Sequence, residues 1–243
     1  MHIIKLNATD STNSFLRKLS AEEIIEDYTV VRADSQTDGR GQLGTIWDSQ
    51  TSKNLTFSVY RDLTKMQLES PFLISIVTSL AMVKALKQFS VPKLYVKWPN
   101  DILSEGKKIC GVLIENVIKQ NEIKASIIGI GLNVNQTQFD NLPQASSLRL
   151  ISGNVFNLDE ILNSILKYLK VYFEYLEKGE FDLLKRKYEK HLFRKNKPST
   201  FRGTDGALFS GYIKGILDTG SLQVLVEDNI IKEFDFKEVS LLY

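Results

Sequence analysis

The 243-residue chain is 43% apolar and 25% charged, the composition of an ordinary globular protein rather than a disordered one. Its formal charge of +2 carries no basic excess, which argues against nucleic acid as a partner. Cys110 is the one cysteine, excluding an intrachain disulfide framework, and with only His2 and His191 beside it a dedicated Cys/His metal site is not expected.

In chain order, the opening residues through Ile3-Ile4-Lys5-Leu6-Asn7 lack the apolar core of a signal peptide and predict a short strand over 3–6. Asp10 or Ser11 caps a helix whose Phe15, Leu16 and Leu19 share one face. Strands are predicted over 28–33 and 54–60, on either side of a glycine-rich loop. Ser70-Pro71 marks a helix start with Pro at the first helical position. The helix behind it is apolar over so much of its girth that it should be well buried. Ser75, Thr78, Ser79 and Lys84 interrupt it, leaving it too short and polar to span a bilayer. A cytoplasmic protein with no membrane partner is expected.

A short strand over 94–97 ends at Trp98-Pro99. Two β-branched runs, 109–116 and 124–135, read as antiparallel strands. The clearest helix is 157–176, with apolar residues at three- and four-residue steps and Asn157 as its cap, followed by a second over 180–192. Beyond Lys195-Asn196-Lys197-Pro198 the texture changes to short β-rich runs (208–213, 222–227, 230–236) punctuated by glycines. That pattern predicts a small antiparallel barrel and a domain boundary near residue 196.

Two stretches could carry chemistry. In Gln36-Thr37-Asp38-Gly39-Arg40-Gly41-Gln42-Leu43-Gly44-Thr45-Ile46-Trp47, the glycines would leave backbone N–H groups bare for an anion and permit positive φ. Arg40 offers a fork of donors to phosphate or carboxylate. The loop is neither a Walker A motif nor a dinucleotide fingerprint. The second stretch is Lys97-Trp98-Pro99-Asn100-Asp101 with Lys107-Lys108-Ile109-Cys110-Gly111. Lys108 begins an apolar strand, which places its charge at the strand mouth. Asp101 could orient a lysine, bind a cation, or simply close a turn or cap a helix after Pro99. No G-x-S-x-G elbow is present. Donors and cations without a nucleophile–base pair suit a reaction between two bound substrates held in register.

These strings, together with Ser11-Thr12-Asn13, the run from Lys108 through Glu115, and Ile128-Gly129-Ile130-Gly131-Leu132-Asn133-Val134-Asn135, resemble the biotin–protein ligases in order and spacing over essentially the whole chain. The resemblance implies an α+β fold: a mixed or antiparallel sheet packed with helices over residues 1–196, and an SH3-like β-barrel over 197–243. It implies a two-step reaction with ATP and biotin as substrates and Mg²⁺ present, ending in transfer to a lysine of a biotin carboxyl carrier domain. Ser11, Thr12 and Gln36 match positions that bind the ureido end of biotin. Gly39, Gly111, Gly129 and Gly131 fall in the biotin pocket, and Gly41, Gln42, Trp47, Asn100 and Asn133 around the adenylate. Arg40 and Lys108 match the cations shared by both ligands. Asp101 is placed with them as a catalytic group that organises the metal or the incoming lysine.

Two departures stand out. Several members carry a second arginine where this chain has Gln42, so retention of the adenylate is expected to be weaker. Some members also carry an N-terminal DNA-binding domain; this chain begins at the catalytic domain, implying no direct action on DNA. Homodimerisation through the catalytic sheet, common in the family, is not readable here. The competing readings are a lipoate or octanoate ligase or transferase of the same architecture, and a non-catalytic biotin or nucleotide sensor. Retention of both Arg40 and Lys108 weighs against the sensor.

Overall fold

The structure is a computed structural model and describes residues 2–66, 68 and 70–243. Two sheets organise it. The first contains β1 (Ile3–Thr9), β2 (Val30–Gln36), β3 (Leu55–Asp62), β4 (Leu94–Lys97), β5 (Asp101–Ser104), β6 (Lys107–Lys119) and β7 (Glu122–Leu132). Their spatial order is β1-β2-β3-β7-β6-β5-β4. Only β1 and β2 run parallel, with α1 (Thr12–Glu22) between them in sequence. The remaining neighbours are antiparallel.

Side chains alternate across a strand, so each strand of this sheet serves two faces. On one face Phe57, Val59, Ile128, Ile130, Leu132, Cys110 and Val112 join the main core. That core is completed by α2 (Phe72–Lys87) and α4 (Leu158–Glu177). The interior position of α2 matches its nearly all-round apolar sequence. On the other face lie Thr56, Ser58, Gly129, Gly131, Gly111 and Glu115, with α1 packed above.

Asn157 caps α4 as its sequence predicts, its side chain accepting from the N–H groups of Asp159 and Glu160. At α1 the expectation needs correction. Ser11 holds the cap position, yet neither side chain caps the helix, because Asp10 Oδ1 turns back onto the Ser11 N–H, 2.6 Å away. Pro71 precedes α2 by one residue, a boundary difference of ordinary size. The turn or cap reading of Asp101 gives way to a strand: Asp101 opens β5, which pairs with both β4 and β6. A short helix, α3 (Leu148–Ser152), was not anticipated; α5 (Phe181–Lys190) was. No helix of the described residues is long and apolar enough to cross a membrane.

The second sheet contains β8 (Pro198–Gly203), β9 (Leu208–Ile216), β10 (Leu222–Leu225), β11 (Ile231–Phe234) and β12 (Val239–Leu242), in the order β11-β10-β9-β8-β12. It is antiparallel throughout, as expected, but does not close into a barrel, since β11 and β12 form its two edges. Two features substitute for closure. Phe201, Phe209 and Phe234 stack with centroids 5.4 and 5.5 Å apart. The sheet also packs against the first unit: Trp98 Nε1–H donates to the Gly220 carbonyl at 2.9 Å, and the Trp98 ring stacks on Phe236. Gly220 has φ +98°, and a Cβ there would fall 2.4 Å from Phe72 Cγ, so glycine is required on two counts.

Candidate active site

Register builds the floor of the site. Thr56 and Gly111 flank Gly131, and Ser58 and Leu113 flank Gly129, on neighbouring strands of one face. The glycines leave a trough in the sheet. Above Gly129 the space is taken by helix α1, for a Cβ there would lie 2.4 Å from Asn13 Oδ1. Above Gly131 and Gly111 lies the Trp47 indole, at 2.3 and 3.2 Å from the corresponding Cβ positions. Trp47 Nε1 is buried without a hydrogen-bond partner.

At one end of the trough, Gln36 Oε1 accepts from both the N–H and the hydroxyl of Thr12, at 2.8 and 3.0 Å. The Ser58 hydroxyl reaches Thr12 Oγ1 at 2.7 Å and Asn13 Oδ1 at 2.6 Å. Ser11, Thr12 and Asn13 are all buried. This end is a compact set of neutral donors and acceptors, suited to an uncharged amide-like group.

Charge collects at the other end. Lys108 Nζ lies 2.8 Å from Asp101 Oδ1 and 5.8 Å from the Trp47 ring. The register explains the pair: Asp101 lies opposite Gly111 on β6, and an irregularity between Ile102 and Leu103 brings Lys108 opposite Leu103. Lys97, opposite Asp101 on β4, has its ammonium held below the usual lysine range by burial, against the pull of Asp101 and with Lys108 adding to the depression. Cys110 lies in the main core, on the face away from the trough, and burial pushes its thiol up.

The glycine loop differs from its expected form. It closes on itself as a hairpin: Trp47 N–H donates to the Gly39 carbonyl at 2.8 Å, and Gly41 N–H to Thr45 at 2.7 Å. Of its glycines only Gly44 takes positive φ. Gly39 is glycine for closeness, since a Cβ there would collide with the Trp47 carbonyl at 2.2 Å. Arg40 Nη2 donates to Ser14 Oγ at 3.0 Å and to Glu115 Oε2 at 3.4 Å. Gln42 lines a crevice of about 180 Å³ between the two sheets, with Lys97, Trp98, Phe236 and Lys237.

Asn100 and Asn133 are committed to the backbone. Asn100 Nδ2 donates to the Val112 carbonyl and Asn133 Nδ2 to that of Ser146, at 2.5 and 3.0 Å. They fix the loops that border the trough. Trp98 stands outside the site, in the seam between sheets. Sequence reasoning missed Ser58, Asn13 and Glu115 as site groups. Their signal is a polar side chain at an alternate position of an otherwise apolar strand, or one beside a helix cap.

The two-sheet fold that carries this trough superposes on solved biotin protein ligases. The biotin protein ligase from Aquifex aeolicus in complex with biotin and ATP superposes with a TM-score of 0.83 at 29% identity, covering 99% of this chain and 98% of that one. The bifunctional ligase/repressor BirA of Bacillus spizizenii is 30% identical over 239 residues, 95% of this chain and 71% of the relative. The biotin–[acetyl-CoA-carboxylase] ligase of Mycobacterium tuberculosis is 29% identical over 165 residues, 67% of this chain and 60% of that protein. The chain belongs to the Biotin/lipoate A/B protein ligase family, whose model matches residues 6–133.

Proposed function

We infer that this chain is an ATP-dependent biotin–protein ligase that activates biotin as biotinoyl-AMP and transfers it to a lysine of a carboxylase's carrier domain. The observation that carries this is the full-length likeness to a ligase solved with both biotin and ATP, joined to the Lys108–Asp101 pair at the charged end of the trough. A carboxylate oxygen of biotin attacks the α-phosphorus of ATP, and the bond to the β-phosphate breaks with its electron pair leaving on pyrophosphate. The carrier lysine, as free amine, then attacks the acyl carbon; the acyl C–O bond breaks, AMP departs, and the amine loses a proton.

Each group has a part. Ser11, Thr12 and Gln36 hold the ureido end of biotin, and Gly39, Gly111, Gly129 and Gly131 belong to the same pocket. Arg40 and Lys108 face the carboxylate and α-phosphate, where positive charge is worth most as the pentavalent phosphorus forms. Asp101 fixes the Lys108 ammonium. Gly41, Gln42, Trp47, Asn100 and Asn133 surround the adenylate. Mg²⁺ enters with ATP: no group of three His, Cys, Asp or Glu is gathered among the described residues, and Asp101 is partly engaged by Lys108. That donor set suits an ion held largely by phosphate and water. The reaction is assigned to the cytoplasm, with no role on DNA, given the +2 charge. Any homodimer would form through the catalytic sheet, whose edge strands are β1 and β4.

Purified protein with Mg²⁺ is expected to exchange pyrophosphate into ATP when biotin is added and not when lipoate is. Exchange with lipoate alone would keep the fold and overturn the substrate. No exchange with either, in folded protein, would turn the reading to a non-catalytic sensor. Gln42→Arg is expected to slow escape of biotinoyl-AMP about fivefold, the worth of roughly 1 kcal/mol for one partly exposed charged contact. Labelling of a non-cognate protein such as serum albumin measures the escape, and unchanged labelling would remove Gln42 from the retention argument.

A further inference from the structure

Glu115 stands at the centre of the polar face, and nothing in the chemistry above uses it. Its side chain is only 18% exposed and lies between two arginines, with Arg17 Nη2 3.2 Å from Oε1 and Arg40 Nη2 3.4 Å from Oε2. Oε2 also accepts from Asn13 Nδ2 at 2.8 Å. The strand fixes the carboxylate firmly, because β6 pairs with β7 at this level, Glu115 opposite Ile127. Arg40, by contrast, sits on a loop, and its remaining side-chain partner is Ser14.

We propose that Glu115 is the positioning residue for Arg40, holding the loop arginine in place for the phosphate while Arg17 keeps Glu115 from neutralising it. The proposal rests on the ligase reading. A carboxylate paired with Arg40 alone would cancel the charge that the phosphate needs. Here one carboxylate is shared by two guanidinium groups, so the cluster keeps a net positive charge and Arg40 keeps donors free for an incoming anion. Holding the side chain before ligand arrives removes rotamer entropy that binding would otherwise have to overcome. Through Asn13 and Ser58 the same carboxylate is joined to Thr12 and Gln36, so one strand residue ties Arg40 to the polar network beneath α1.

The test is a double-mutant cycle read by biotin-dependent ATP–pyrophosphate exchange. Glu115→Gln keeps the shape and removes the charge, and is expected to raise KM for ATP about tenfold, the size of one charge-assisted hydrogen bond. In an Arg40→Ala background the same change is expected to cost less than about twofold, because its effect runs through Arg40. A merely structural role would lower activity equally in both backgrounds, and that result would overturn the proposal. So would a Glu115→Gln protein within about twofold of wild type.

Should Glu115→Gln fail to fold, Arg17→Gln carries the test, since the Arg17 side chain is half exposed. Its loss leaves Glu115 to neutralise Arg40, and KM for ATP should rise about threefold at low ionic strength; an unchanged KM would overturn the proposal. Wild-type protein without biotin-dependent exchange would instead overturn the ligase reading, and the proposal with it.

Discussion

Replacing Lys108 by alanine is expected to lower biotin-dependent ATP–pyrophosphate exchange about 100- to 1,000-fold, the range seen when one preorganised donor to a developing charge is removed. The ammonium is held by Asp101 at 2.8 Å at the charged end of the glycine trough, so no reorganisation is needed when negative charge grows at the acyl-phosphate. Folding should be little affected. Lys108 is second in β6 and its ammonium leaves the core, while Ile109 and Cys110 behind it make the packing contacts. A change in stability within about 0.5 kcal/mol is expected by urea titration. Exchange surviving within about threefold, only ~0.7 kcal/mol of barrier, would show that Lys108 does not face the reacting atoms.

The largest expected effect on stability lies across the sheet. Arg61 is 1% exposed, with its guanidinium carbon 4.0 Å from the centroid of Tyr28 and 4.4 Å from that of Phe173. Asp27 and Glu177 are its counter-charges. Asp27 also accepts from the N–H groups of Tyr28 and Asp62, both at 2.9 Å. Asp27→Ala therefore leaves a buried cation short of charge and two N–H groups short of an acceptor. The expected loss is about 3–5 kcal/mol, or roughly 10 °C in Tm for a chain of this size. At temperatures where the variant is folded, its KM for biotin and ATP should match wild type, since the cluster lies beyond the core-facing side of the sheet. A loss under about 1 kcal/mol would mean that Glu177 and the two rings suffice.

Elements with a strong local pattern were legible in the sequence. α4 announced itself by its apolar steps and Asn157, and β6 and β7 by their β-branched runs. β5 was not: it has four residues and begins directly after Asn100, where a turn reading competes with a strand. The second sheet was recognised from its glycine punctuation, yet its edges could not be read, because closure depends on whether β11 and β12 meet. At the site, residues adjacent in sequence were grouped easily. The pairing of Asn13 with Glu115, 102 positions apart, exists only once the register of β6 on β7 places the glutamate beneath α1. Trp47 and Trp98 illustrate the same limit. Both precede or follow a polar motif, but one lies on the glycine trough and the other carries the seam between sheets.

That seam has a consequence for how the chain can be divided. Phe72 from the helical layer, Trp98 from the β4–β5 turn and Phe236 from the second sheet form one aromatic stack, with Tyr188 against Phe72 and its hydroxyl donating to the Pro99 carbonyl. A fragment ending before Pro198 would expose this cluster and free the turn that carries Asn100 and leads into Asp101 at the start of β5. The 46 residues beyond would keep three stacked phenyl rings under five short strands, too little apolar burial for so small a piece to stand unaided. The small sheet is therefore not a detachable module. Grafting it from a relative, or trimming it to make a minimal ligase, would disturb the segment from Trp98 to Asp101 along with the tail.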